Sequence, residues 1–330
     1  MITHLWYRIF QTRAIQQERP QAKIPTDYWT IPVCKWRQSF LTCFLDRNPS
    51  SIIIFSMNTF REFVRRHEVV IALSLIVVNN ALFVGGIASG ILPYSLYYFG
   101  RFLLLGASLG VVILIGSGWK GILDLLRPMV QWRLSPRWYL LALTWPTLMS
   151  ILVLTGKGII TGNGLSEITT DFSVVTHPAV MKTIVIGSFI GEIVWVSYAI
   201  RHFSGKFTPF IGSQIVGVVW TLWWMPMVLL NVGVFPGLPP LALFISVLGV
   251  AAMCSFIYSH TKSGIAVLIL QMMVNSTALI FPVIPNSGGV ATYYAFAGVY
   301  YLCVLLLYFF FGPKPILGHQ KIAPKATDCV

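Results

Sequence analysis

Three polar side chains stand within long apolar segments of this sequence, and their types can do chemistry. Glu192 is the acidic residue set deepest in such a segment, FIGEIVWVSYAIR at 189–201, while Gln271 and Asn275 lie four residues apart in another. Residues four apart share one face of a helix. A carboxyl group can transfer protons or bind a metal, and a carboxamide can hydrogen-bond a ligand. A purely structural role is the alternative, because polar residues in membrane bundles often only hydrogen-bond to neighbouring helices.

The elements that must position these residues are membrane helices. The chain of 330 residues is 56% hydrophobic and only 10% charged. A helix that crosses the hydrocarbon core of a bilayer needs about 20 apolar residues. Runs of this kind lie near 69–92, 98–117, 138–156, 178–200, 210–230, 239–259, 263–283 and 290–311. The sequence therefore predicts an all-α, polytopic membrane helical bundle of about eight transmembrane helices.

The net charge of +13 is placed as membrane topology requires. If the N-terminus is inside, every Lys and Arg except Arg101, Lys157 and Lys182 lies on the inner side of the eight spans. Cytoplasmic loops of membrane proteins carry such an excess of Lys and Arg. We therefore expect a multi-pass protein of the cell membrane with both termini in the cytoplasm. The lipid bilayer is its expected partner, and nucleic acid is not.

The segment between the second and third runs differs from an ordinary loop. GWKGILDLLRPMVQWRLSPRWYLLAL, at 118–143, mixes Trp and aliphatic residues with Lys120, Arg127, Arg133 and Arg137. Aromatic and basic residues in this arrangement are typical of an amphipathic helix that lies in the membrane interface. The sequence predicts such an interfacial helix here, and a plain loop is the alternative.

The ends of the chain are predicted to lie outside the bundle. Residues 1–56 show neither a sustained hydrophobic period nor a secretory signal, so we expect a poorly structured N-terminal extension. Translation from Met57, with 1–56 as a gene-model extension, is one interpretation, and a disordered or membrane-surface arm is the other. Residues 57–312 would then form the transmembrane domain, and 313–330 a cytoplasmic tail.

Four motifs follow one another in an order that resembles a known family. The interfacial segment precedes GE(x)₂W(x)₂Y at 191–198, W(x)₃WMP at 220–226 and Q(x)₃N at 271–275. This order resembles the CAAX protease and bacteriocin-processing family of intramembrane metalloproteases, which contains the Ras-converting CAAX endopeptidase. The resemblance covers 118–283 and, through the eight-span layout, 57–312. It implies a catalytic centre of two Glu and two His residues that activates a water, often with zinc.

This sequence departs from the family at most of those positions. Matched through Trp195 and Tyr198, only Glu192, at the second Glu, and Asn275 are retained. The replacements are Gly191 for the first Glu, Val196 for the Arg, Trp224 for the first His and Gln271 for the second. The resemblance therefore leaves Glu192 and Asn275 as the candidate catalytic residues, with no metal ligands predicted. We expect the Glu192 carboxyl to hydrogen-bond to Asn275 or Gln271 inside the bundle.

The chemistry of these replacements argues against hydrolysis. Activating a water at a metal takes about three protein ligands and an open position. One carboxylate and two carboxamides do not supply them, and the His residues fall at span ends or in loops: His4, His67, His177, His202, His260 and His319. We therefore expect no cofactor and a pseudoprotease that binds a peptide, lipid or protein as a scaffold, chaperone or bacteriocin-immunity factor.

Two alternatives stay open at this point. The first is an active, zinc-dependent metalloendopeptidase that cleaves prenylated CAAX-type or other membrane-associated peptides. The second is a small-solute transporter, although transporters are commonly built from internal repeats, and none is evident in this sequence.

Overall fold

The computed structural model describes residues 59–312, and every regular element in this range is helical. Eight of the described helices are long and apolar enough to cross a membrane. The prediction of an all-α bundle with eight spans is therefore confirmed, and the chain is a multi-pass helical membrane protein. The predictions for residues 1–56 and 313–330 lie outside the described residues.

The α-helices of nine or more residues are numbered in chain order. The spans are α1 Glu68–Ala88, α2 Tyr97–Gly116, α4 Pro136–Thr161, α5 Pro178–Gly191, α6 Pro209–Leu230, α7 Pro240–Thr261, α8 Gly264–Ile280 and α9 Val290–Phe311, and the short helix between the second and third spans is α3 Gly118–Leu126. Beyond Gly191 the fifth span continues as a π-helix, Glu192–Ile200, and ends in the turn Arg201–Ser204. These bounds follow the predicted apolar runs closely.

Local sequence signals explain where several spans begin. Four spans start with a proline, whose fixed φ suits a first helical turn and whose missing N–H would have no partner there: Pro136, Pro178, Pro209 and Pro240. The Thr208 hydroxyl caps α6 by accepting a hydrogen bond from the Ile211 amide over 3.3 Å. The Ser263 hydroxyl caps α8 in the same way, from the Ala266 amide over 3.3 Å. Both caps satisfy amides that have no intrahelical partner.

Successive spans run in opposite directions, so their connections meet at two ends of the bundle. The distal end carries residues 89–96, 162–177, 231–239 and 281–289. The proximal end carries 117–135, which include α3, and the short connections 205–208 and 262–263. At the distal end the Asp171 amide donates to the Ile280 carbonyl over 2.9 Å. At the proximal end the Ser263 hydroxyl donates to the Gln131 carbonyl.

The fifth and seventh spans form the centre of the bundle. In each of them 67% of the best apolar window is buried, against 39% or less in the other spans. Helices in a bilayer associate through close packing, for which small residues leave room. At Gly217 of α6, a β-carbon would lie 2.8 Å from the Leu248 side chain of α7. The glycine therefore permits the close approach of α6 to the centre.

The helix predicted in the interfacial segment is present as α3. Trp119 and Leu123 are exposed, while Leu125 is buried against the bundle. Arg201, at the proximal end of the fifth span, donates from Nη1 to the Asp124 carbonyl over 2.8 Å and pairs through Nη2 with the Asp124 carboxylate. These contacts fix α3 across the proximal end. Its location in the membrane interface stays a prediction.

Pro226 stands inside α6 and disturbs the helix next to the candidate site. A proline has no N–H to offer the carbonyl four residues earlier, here that of Leu222. The neighbouring carbonyl, of Trp223, accepts a hydrogen bond from the buried Asn80 side chain of α1 over 2.6 Å. In a membrane such side-chain partners satisfy backbone groups that a proline sets free. Asn80 thus helps α6 to keep its position beside α1.

Candidate functional site

Glu192 opens the π-helical part of the fifth span and is fully buried. The backbone bonds of a π-helix join residues five apart, which brings such pairs onto successive turns. Accordingly, the hydroxyl of Ser197 donates to Glu192 Oε1 over 2.7 Å. Glu192 Oε2 has no hydrogen-bond partner among the described residues. The carboxyl group therefore has one local partner on its own helix.

The expected hydrogen bond from Glu192 to Asn275 or Gln271 is wrong. Asn275 instead donates from Nδ2 to the Ser188 hydroxyl over 3.1 Å. The physical reason is helix register, because one residue turns the side chain by about 100°. Gly191 faces Gln271, whose Oε1 would lie 3.0 Å from a β-carbon there.

The Glu192 carboxyl faces the start of α8 rather than its middle. A β-carbon on Gly264 would lie 2.9 Å from Glu192 Oε1 and 2.6 Å from Met129 Sδ. Gly264 is the first residue of α8, and Met129 belongs to the turn that follows α3. Glu192 is therefore packed toward the proximal end. Val196, the other replaced position on this helix, is fully buried as well.

A cavity of about 320 Å³ lies beside these residues, toward the distal end. Four of the predicted site positions line it together: Gly191, Trp224, Gln271 and Asn275. They come from the fifth span, α6 and α8, which are far apart in sequence. The structure therefore brings the three membrane motifs to one cavity. Glu192 and Val196 lie outside its lining.

Indole rings form one wall of the cavity. Trp195 stacks on Trp220 with ring centroids 5.4 Å apart and planes 13° from parallel. Trp223 meets Trp195 edge-on at 6.0 Å and Trp224 edge-on at 5.6 Å. Stacked and edge-to-face pairs are the favoured arrangements of aromatic rings. The wall is therefore a rigid apolar surface, built from two of the sequence motifs.

Arg101 also lines the cavity, and the sequence reasoning missed it. Charge counting placed this residue at the outer side of the bundle, but its exposed fraction is only 5%. Its guanidinium carbon lies 4.5 Å from the ring centroid of Trp223 and 4.8 Å from that of Trp224. The rings of Phe102 and Tyr97 follow at 4.7 and 5.1 Å. A cation over aromatic faces is held by their quadrupoles.

One signal in the sequence could have revealed this residue. Arg101 lies within the second apolar run, 98–117. An ionisable residue inside a membrane segment is a functional-site candidate by default.

Hydrogen bonds orient the Arg101 side chain as well. Its Nη1 donates to the Tyr97 hydroxyl over 2.7 Å, and that hydroxyl donates to the Gly233 carbonyl over 3.1 Å. Gly233 has φ +64°, a conformation that suits glycine. The loop at 231–239 is therefore tied to α2 through Tyr97, next to the guanidinium.

The residues at the motif positions do not fit a catalytic zinc. Among residues 59–312, no group of three or more His, Cys, Asp and Glu side chains is close enough to hold a metal ion. An indole N–H, as in Trp224, is a donor only, and zinc is bound by thiolate, imidazole or carboxylate. The retained carboxyl, Glu192, packs against Gly264 and Met129 instead of lining the cavity. The arrangement is suited to binding a molecule rather than to activating a water.

Comparison with known proteins leaves the family resemblance as a proposal. The sequence matches none of the protein-family models with which it was compared, and no curated protein is significantly similar to it. The eight apolar helices show a multi-pass helical membrane protein. Any more specific function must be argued from the cavity itself.

Proposed function

We propose that this protein is a pseudoprotease of the CAAX-protease type, a non-catalytic membrane protein that binds an apolar ligand in its cavity. The observation that carries the proposal is the convergence of Gly191, Trp224, Gln271 and Asn275 on that cavity. The resemblance places catalytic residues at these four positions. Their convergence from three helices supports a shared architecture, and their side chains support a changed function.

The geometry disfavours hydrolysis by the retained residues. A general base must reach the proton that it removes, directly or through one water. The Glu192 carboxyl is held by Ser197 and packs toward Gly264, on the proximal side of the cavity. No Asp, Glu or His is among the described residues that line the cavity. A bound peptide would therefore meet indoles and carboxamides, which do not transfer protons near neutral pH.

The cavity has the properties of a ligand site. Small-molecule pockets generally measure about 300–1,000 Å³ and combine apolar walls with a few polar groups that fix orientation. Here the volume is about 320 Å³, the walls carry four Trp residues, and Gln271, Asn275 and Arg101 supply the polar contacts. An apolar chain of a lipid or a membrane-associated peptide fits this surface. The proposed activity is therefore capture of such a chain without cleavage.

Cleavage is tested with a quenched, prenylated CAAX-type peptide and purified protein in liposomes. We expect no cleavage above that of empty liposomes, beside an active family member as the positive control. Wild-type protein, Glu192→Ala and wild type with a chelator should be indistinguishable. Cleavage abolished by both Glu192→Ala and the chelator would overturn the pseudoprotease proposal and make Glu192 catalytic.

Binding is tested by photo-crosslinking a long-chain alcohol that carries a diazirine. We expect crosslinked peptides from the cavity walls, at 183–195 and 271–279. Gly191→Leu should remove them because the new side chain enters the cavity beside Gln271. Gly110→Leu is the matched control, since a β-carbon at Gly110 has nothing within 4 Å. Crosslinks that are confined to the outer surface and unchanged by Gly191→Leu would contradict binding in the cavity.

A further inference from the structure

We infer that the cavity binds a single-chain acyl anion, with the anionic headgroup at Arg101 and the chain along the Trp-lined wall. The inference rests on the proposed function, because it names the ligand class of the same cavity. Two independent observations carry it: a guanidinium fixed in the cavity wall, and a buried carboxamide donor that has no hydrogen-bond partner among the described residues.

The guanidinium is placed where a lipid headgroup would enter. Arg101 is the fifth residue of α2, so it lies about 6 Å along the helix from the distal end at a rise of 1.5 Å per residue. Its exposed fraction is 5%, and it lines the cavity. Arginine stays protonated in proteins. A buried positive charge attracts an anion more strongly than an exposed one, because water and salt screen it less.

The guanidinium is also oriented in advance. Four rings lie within 5.1 Å of its carbon, and Tyr97 accepts a hydrogen bond from Nη1. A fixed planar fork binds the two oxygens of a carboxylate or phosphate with little further ordering. A headgroup of either kind therefore fits the recognition chemistry.

Gln271 supplies the second observation, deeper along the cavity. Its exposed fraction is 4%, it lines the cavity, and its Nε2 has no partner within the described part of the chain. A buried donor without a partner is costly, so a ligand acceptor at this point would be favoured. The carbonyl of an acyl amide or ester is such an acceptor. The ligand class is thus an anion with an acyl carbonyl.

The size of the cavity limits the ligand further. At the roughly 30 Å³ that a water occupies in the liquid, 320 Å³ holds about ten non-hydrogen atoms. That volume takes a headgroup, a carbonyl and the first part of one chain. It does not take the two chains of a diacyl phospholipid. We therefore specify a single-chain ligand.

The test uses the diazirine alcohol as the probe and two competitors that differ only in their headgroup. N-oleoylglycine carries a carboxylate, and N-oleoylethanolamine carries a hydroxyl on the same chain and amide. With the full chain in nanodiscs of zwitterionic lipid, the acylglycine should displace the probe at an about tenfold lower concentration, as one charge-assisted hydrogen bond predicts. An oleoyl lysophosphatidate arm shows whether phosphate serves as well as carboxylate.

Variants assign the preference to named residues. Arg101→Gln should make the two competitors equal, and Gln271→Leu should weaken both by a similar factor because they share the carbonyl. Lys182→Gln is the matched control, because Lys182 is an exposed cation on the neighbouring wall of the bundle and not part of the cavity lining. It should keep the tenfold preference.

The outcomes separate this inference from the proposed function. Equal displacement by the two competitors in wild-type protein would overturn the anion site and leave cavity binding intact. Absence of any saturable probe in the cavity would overturn both. A preference that survives in Arg101→Gln, with the variant shown to be folded by its thermal transition, would reject Arg101 as the headgroup site. The wild-type comparison needs no variant, so a misfolded substitution does not prevent a decision.

Discussion

Gly233 lies so close to Tyr97 that a β-carbon on the glycine would fall 2.0 Å from the Tyr97 ring. The Gly233 carbonyl accepts the Tyr97 hydroxyl proton over 3.1 Å, and the same hydroxyl accepts from Arg101. The loop at 231–239 and α2 thus hold the cavity cation between them. The relationship makes a glycine outside the motifs part of the site.

Gly233→Ala should therefore disturb both stability and ligand binding. The alanine would have to adopt a positive φ, which costs about 1 kcal/mol, and would also displace the Tyr97 ring. Gly237→Ala is the control, because Gly237 has φ +73° with nothing within 4 Å of its β-position. We expect a lower thermal transition for both variants, and a larger decrease together with weaker probe crosslinking for Gly233→Ala only. Equal effects would show that the Tyr97 contact contributes nothing.

A second close approach fixes the distal end of α4. A β-carbon on Gly158 would lie 1.9 Å from the Gly164 carbonyl oxygen, whereas one on Gly156 meets nothing within 4 Å. Gly156→Ala should be neutral or stabilising by up to about 1 kcal/mol, since alanine is the better helix former. Gly158→Ala should lower the thermal transition because the turn at Gly164–Glu167 must move. A stabilising Gly158→Ala would contradict this packing.

Glu167 makes the stability of the distal end depend on pH. Lys157 pairs with its Oε2 over 2.7 Å, and Asn163 donates to its Oε1 over 2.8 Å. The Lys157 ammonium and the Asn163 amide hold the pKa of the Glu167 carboxyl below its usual value of 4.5. A lowered pKa in the folded state means that the contribution is fully present above the usual pKa. It is lost as the pH falls through the folded-state pKa.

The measurement compares the thermal transitions of wild type and Glu167→Gln across this range. At pH 7 the wild type should be the more stable, and the gap should close as the solution is acidified below the usual pKa. Because both proteins share every other titrating group, the gap reports Glu167 alone. A gap that stays constant down to pH 3 would show that the ion pair does not contribute.

Asn80 should matter more for stability than its neighbour Asn79. Asn80→Leu leaves the buried Trp223 carbonyl without its side-chain donor, and an unmet buried polar group costs about 1–3 kcal/mol. Asn79 donates to the Ser108 hydroxyl over 2.9 Å at a part-buried site, where such bonds between helices contribute about 0.6 kcal/mol. Unfolding in mixed micelles should therefore show a larger loss for Asn80→Leu than for Asn79→Leu. The reverse order would mean that α6 does not need this support.

Most of the fold could be predicted because the membrane imposes it. A bilayer demands long apolar helices, so hydropathy alone located all eight spans within a few residues of their ends. The order of the motifs also placed Gly191, Trp224, Gln271 and Asn275 on three helices that do meet. Motif order was sufficient here, since all four side chains line one cavity.

The direction of Glu192 and the role of Arg101 could not be predicted in the same way. Glu192 differs from Gly191 by a single helical step, yet that step turns it from the cavity toward Gly264. Its register depends on a π-helix, which no hydropathy pattern reveals. Arg101 belongs to no motif, and its burial depends on rings contributed by α6, far along the chain. Both features arise from tertiary packing.

The π-helix at Glu192–Ile200 has a consequence for how the gene can change. A wider turn accommodates more residues per unit length than an α-helix. Deleting one residue within it would let the segment relax to α-helical winding and rotate everything that follows by about 100°. Tyr198 would leave the Glu68 carboxylate, and Arg201 would leave Asp124. This stretch should therefore be intolerant of single-codon deletions, whereas one in the loop at 162–177 would leave the register of the fifth span unchanged.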